Sequence, residues 1–136
     1  MEEDTQKLLD KAVSTHGHLG PFLVMGLRMG LLAKKAFGEV PFRCEVETVF
    51  KKPYICAIDG IKAVMGNNGI DVKKGKGLNA KFSAVDGREV SIKVRDSVLE
   101  KNAKVTWDTC EKFALDLMRS EDVEIFCWFE TSRQEK

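Results

Sequence analysis

The sequence has no excess of charge of either sign. Its 22 lysines and arginines stand against 21 aspartates and glutamates, for a formal net charge of +1. That balance argues against a nucleic-acid partner or an anionic membrane surface, both of which select for a basic field. A membrane span is also missing. The longest apolar run, Leu19 to Ala33, falls short of the roughly 20 residues needed to cross a bilayer, and it carries Arg28. There is no C-x-x-C: Cys44, Cys56, Cys110 and Cys127 are widely separated, which argues against a disulfide framework. The opening stretch, MEEDTQKLL, is acidic and amphipathic rather than basic and then apolar, unlike a secretory signal. A cytoplasmic protein with free thiols is expected. Histidine is scarcest among the residues that do chemistry at neutral pH, with two in the chain, both inside STHGHLGPF at positions 14–22.

What is present suits one globular domain, residues 1–136, with 43% hydrophobic and 32% charged residues. Leu8, Leu9, Ala12 and Val13 make a helical stripe over 3–13, with acids first. Pro21 and Gly38 are start and stop signals for a central helix over 21–37, apolar on nearly every face and so covered on several sides. Gly26 and Gly30 in it would let another backbone approach closely, in the sheet or across a dimer interface. RCEVETVF, at 43–50, alternates as a strand with Cys44, Val46, Thr48 and Phe50 on one face. A helix follows within YICAIDGIKAVMG, ended at Gly66, and residues 67–77 read as a loop rich in glycine and lysine.

Leu78–Ala84 and Val90–Val94 form a hairpin whose register can be worked out. A two-residue turn would put the two apolar faces on opposite sides. A three-residue loop, Val85-Asp86-Gly87, pairs Phe82 with Val90 and Ala80 with Ile92, and gives Gly87 the left-handed position such loops need. Asp108 and Glu111 suggest a capping box for a helix that buries Trp107, Cys110, Phe113, Ala114, Leu117 and Met118. VEIFCWF is a final strand. The expected fold is α+β, a mostly antiparallel sheet of about four strands packed with helices.

Two histidines two residues apart point to opposite sides on a helix or in extended chain, so His16 and His18 converge only if Gly17 bends the backbone. The spacing is equally compatible with one histidine capping the next helix and the other lying exposed. Cys56 begins a helix, where oriented N–H groups favour a thiolate, but Asp59 one turn on opposes it. A cation would stabilise both; the alternative is a small buried side chain. Cys44, Cys110 and Cys127 lie on apolar faces and read as core. The Gly75-Lys76-Gly77 stretch could cradle an anion with its N–H groups, although it lacks the hydroxyl residue of a P-loop and suits a solvated turn equally well.

The order HGHLGPFLVMGLRMG, CAIDGIKAVMG, GKGLN resembles the FmdE family, named after the formylmethanofuran dehydrogenase operon of methanogens, over roughly residues 8–95. The resemblance implies an α+β core domain, a homodimer, and a pocket in which His16, His18 and Cys56 hold a divalent metal, with Asp59 and Gly75-Lys76-Gly77 nearby for a small-molecule anion. Two nitrogens and one sulfur with an open position suit zinc or another borderline metal. Gly20 stands where many relatives carry a cysteine, and the C-terminal cysteine-paired finger of some relatives is not expected here. The implied function is metal binding, with enzymatic action on a small anionic substrate. The alternative is a metal carrier or accessory protein for a molybdenum or tungsten oxidoreductase, and a third reading is a structural dimer whose histidines and cysteine fill the core.

Overall fold

The computed structural model describes residues 3–131. Helix α1 (Glu3–His16) leads through a short corner into α2 (Pro21–Phe37). Pro21 opens α2 and Gly38, at φ +65°, closes it, with the Gly38 amide donating to the Lys34 carbonyl. Strand β1 (Phe42–Thr48), helix α3 (Cys56–Met65) and strand β2 (Ile70–Lys74) follow. Then come the hairpin β3 (Leu78–Ala84) and β4 (Glu89–Val94), helix α4 (Asp96–Ala103), a 3-10 turn (Trp107–Thr109), α5 (Cys110–Arg119), the one-turn α6 (Asp122–Ile125) and β5 (Phe126–Thr131). The fold is α+β, with a five-stranded sheet ordered β2-β1-β3-β4-β5.

The hairpin has the expected register, Phe82 opposite Val90 and Ala80 opposite Ile92, and Gly87 sits at φ +99°. Cys44, Val46, Thr48, Phe82 and Ile92 face the helices and are buried. β2 is an addition to the expected sheet, inside what reads as a loop. It pairs in parallel with β1 at the sheet edge, and four of its five residues are exposed. Such a strand carries lysines rather than an apolar alternation, because an edge has little apolar surface to bury. β1 stops at Thr48, whose hydroxyl donates to the Gly77 carbonyl at 2.6 Å, and Phe50 is exposed rather than part of the buried face.

The expected capping box at Asp108 is replaced by other partners. The Asp108 carboxylate accepts from Thr106 Oγ1 at 2.7 Å, the chain makes a 3-10 turn, and α5 starts only at Cys110. Trp107 is exposed, and Cys110 and Phe113 are only half-buried, so the buried stripe of α5 narrows to Ala114, Leu117 and Met118. A capping box does form at Glu121 and Glu124, opening α6, so the last strand begins at Phe126. α4 leaves no periodic signal in the sequence, because only Leu99 and Asn102 of its eight residues are buried.

The helices meet where side chains are smallest. A Cβ on Gly26 would overlap the Ala57 carbonyl, and one on Gly60 would overlap the Leu23 carbonyl. α2 and α3 therefore pack backbone to backbone, which absorbs the glycines of α2 inside the chain rather than at a dimer interface. Gly30 meets the Val64 side chain, also on α3. Arg28, the lone charge on the apolar part of α2, reaches across to the end of α5. Its guanidinium donates to the carbonyls of Leu117 (2.6 Å) and Ser120 (2.8 Å) and to Asp122 Oδ1 (2.9 Å). It thus gives the Leu117 carbonyl, which also accepts from the Ser120 amide, a second partner and supplies one to the Ser120 carbonyl just beyond the helix.

Candidate metal centre

α1 runs three residues beyond its sequence-based limit and ends at His16. The next residue, Gly17, takes φ +113° and donates its amide to the Val13 carbonyl at 2.8 Å. This left-handed residue ends the helix and turns the chain so that His16 and His18 lie on the same side. Their ring centroids are 5.1 Å apart and the rings are tilted by 40°. Pro21 starts α2 immediately afterwards, so the two histidines are held between two helix ends.

α3 supplies the opposite wall. Its first residue, Cys56, is buried, and Asp59 follows one turn on. His16 Nδ1–H donates to Asp59 Oδ2 at 2.7 Å, with the His16 side chain 14% exposed. That bond leaves Nε2 of His16 free, the arrangement in which a carboxylate orients a metal-ligating imidazole. Asp59 of C-x-x-D-G thus holds His16, Gly60 lets α3 lie closely against the α2 backbone, and Cys56 is buried at the start of the same helix.

Burial keeps His18 below the usual histidine pKa, with the charges of His16 and Lys52 adding to the effect. Burial likewise pushes the Cys56 thiol up, against the pull of Lys52 and with help from Asp59 and Cys110. The helix N-terminus does not by itself deliver a thiolate here. A cation beside the sulfur would reverse that balance.

Three groups at the site are not evident from local sequence. Lys52 acts on both His18 and Cys56. Trp107 stacks on His18 with centroids 4.7 Å apart while remaining 77% exposed. Cys110, expected in the core, is half-buried, and its thiol faces the Leu19 carbonyl at 3.6 Å. Cys127 is also not core: it is exposed on β5, whereas Cys44 is buried as expected. All four cysteines are free. No signal in the sequence around Lys52, Trp107 or Cys110 marks them, because the folding of distant segments brings them to the histidines.

The Gly75-Lys76-Gly77 turn has its own contacts. The Gly75 amide donates to the Thr48 carbonyl at 2.9 Å, the Asn79 amide group donates to the Lys76 carbonyl, and Gly77 takes φ +65° beside Leu99. β1 and β2 run parallel, so this turn leaves the same edge of the sheet as the Phe50–Ile55 segment that leads to Cys56. That edge, the carboxyl end of parallel strands, is where α/β crossovers place ligands.

Among the described residues, no three histidine, cysteine or acidic side chains are drawn together as closely as bound metal would draw them. The two imidazoles by themselves have a separation compatible with a shared borderline divalent ion. Two imidazoles on one tetrahedral zinc, with Zn–N near 2.0 Å, have ring centroids about 5 Å apart, and these lie at 5.1 Å.

A family model described as "FmdE, Molybdenum formylmethanofuran dehydrogenase operon" matches residues 15–133. None of the curated proteins matches the chain. Among the described residues, no helix is long and apolar enough to cross a membrane.

Proposed function

The chain belongs to the FmdE family, and from that premise we propose a metal-binding domain that holds one divalent ion, zinc or a close relative, through His16, His18 and Cys56 and acts on a small anionic substrate. The observation that carries the reading is the imidazole pair at 5.1 Å, one member of which has its Nδ1 tied to Asp59. The ion supplies Lewis-acid chemistry. Asp59 fixes the tautomer and orientation of His16. Trp107 covers the His18 ring and limits its contact with water. Lys52 supplies positive charge beside Cys56 and His18, where an anion would be drawn in. The Gly75-Lys76-Gly77 turn, at the same sheet edge, offers further charge from Lys76. A homodimer in the cytoplasm belongs to the same reading.

The test is metal content after purification without added metal. Wild type is expected to keep about one ion per chain through dialysis, while His18→Ala and Cys56→Ser lose it. Equal and negligible metal in all three would overturn the reading. Loss of the ion from wild type on dialysis, with binding restored on addition, would favour the carrier role for a molybdenum or tungsten oxidoreductase.

A further inference from the structure

We propose that Cys110 is a fourth donor to the same metal, making the centre a two-nitrogen, two-sulfur site assembled from three separate helical segments. This rests on the metal reading above. The geometry is clearest at Gly20. A Cβ built on that residue would have Cys110 Sγ at 3.1 Å and His18 Nε2 at 3.3 Å as its nearest neighbours. A thiol and an imidazole nitrogen, from residues 92 positions apart, thus flank one small space at the start of α2. Gly20 is buried, and its missing side chain keeps that space open.

The second observation links this space to the other histidine: the His18 ring centroid lies 5.1 Å from that of His16, so Cys110 Sγ stands beside the imidazole pair. The single hydrogen-bond partner of Cys110 Sγ is the Leu19 carbonyl at 3.6 Å, a weak contact that leaves the sulfur available. Each thiol that ligates releases one proton to solvent, and the cation then stabilises the thiolate.

A fourth protein donor changes what the centre can do. A tetrahedral site filled by the protein has no resident open position, and an anion enters only by expansion to five donors or by displacement of one. Cys110 is the donor placed to leave, because it stands at the first position of α5, next to the exposed Trp107, and the other three are tied to α1, α3 and the corner between α1 and α2.

The test counts sulfur donors. The purified full chain is loaded with cobalt(II) under reducing conditions and its sulfur-to-cobalt charge-transfer absorption is recorded. Wild type should show twice the intensity of Cys110→Ser or of Cys56→Ser, the double variant should show none, and Cys127→Ser should match wild type. Zinc-edge X-ray absorption on unmutated protein gives the same count without dependence on folding of a variant, with two sulfur neighbours at about 2.3 Å expected. Full intensity in Cys110→Ser, or one sulfur per zinc in wild type, overturns the role of Cys110 while leaving the three-donor reading intact. A wild-type chain that takes up no metal overturns both.

Discussion

Gly60→Ala is the substitution that most sharply probes why the site and the helix packing depend on each other. In an exposed helix, alanine is favoured over glycine by about 1 kcal/mol. Here the new Cβ would sit 2.5 Å from the Leu27 nitrogen and closer still to the Leu23 carbonyl oxygen. Both are backbone atoms of α2, so no side-chain rotation relieves the overlap. Ordinary contact begins at 3.4 Å, and α3 must therefore withdraw by roughly 1 Å in an interior that is packed like a crystal. Overpacking of this kind costs about 1–3 kcal/mol, occasionally more, and the rigid backbone puts this case at the upper end. After the propensity gain, a net loss of about 2 kcal/mol remains, or a fall in Tm of roughly 8 °C. Urea unfolding followed by circular dichroism measures it. Gly30→Ala is the milder comparison: its Cβ would meet Val64 Cβ and Cγ2 at 2.9 Å, atoms of a stiff β-branched side chain rather than of the α2–α3 backbone contact, so it should also lose stability, but less than Gly60→Ala. Because α3 carries Cys56 and Asp59, Gly60→Ala should also weaken zinc binding. A Gly60→Ala chain more stable than wild type by the propensity gain alone would refute the backbone-contact argument.

Arg28→Met removes donors to the carbonyls of Leu117, Met118 and Ser120 and to Asp122; a loss of about 2 kcal/mol is expected, with Asp122→Asn costing distinctly less, and equal losses would show that the carbonyl bonds contribute nothing. Burial, with Asp71 and Glu45 nearby, pushes the Cys44 thiol up to about 12. The unfolded chain gives up that proton near pH 9 while the folded chain retains it, so stability falls between pH 9 and 12, by up to about 1.4 kcal/mol per pH unit. Cys44→Ala should flatten that decline relative to wild type at each pH, and parallel curves would contradict the burial argument. Trp107 stacks on His18, so cobalt binding should quench fluorescence in wild type and Trp128→Phe but not in Trp107→Phe; quenching that survives in Trp107→Phe would place the ion elsewhere.

The parts of this protein readable from sequence are those whose causes are local. Pro21 and Gly38 fix α2 through backbone chemistry that needs no partner, and the Val85–Gly87 loop sets hairpin register because only that pairing aligns two apolar faces. The bend at Gly17 is likewise local, being the end of α1. What sequence concealed depends on segments far apart. β2 becomes a strand only because β1 offers it a ladder, and its lysines reflect an edge rather than a loop. Arg28 looks like an intrusion on an apolar helix until α5 ends against it. Asp59 reads as an obstacle to a Cys56 thiolate, whereas its nearest partner is His16. Cys110 and Trp107 read as core because their spacing fits a buried stripe, but the 3-10 turn at Trp107–Thr109 rotates both toward the histidines.

The central claim is that His16, His18 and Cys56 share one metal ion, with Nε2 of His16 as its donor because Nδ1 is committed to Asp59. Diffraction from zinc-loaded crystals at wavelengths on either side of the zinc edge tests it directly. One anomalous peak per chain is expected, about 2.0 Å from His16 Nε2 and about 2.3 Å from Cys56 Sγ. Zinc found at another place in the chain, or bound through His16 Nδ1 with Asp59 displaced, would contradict it.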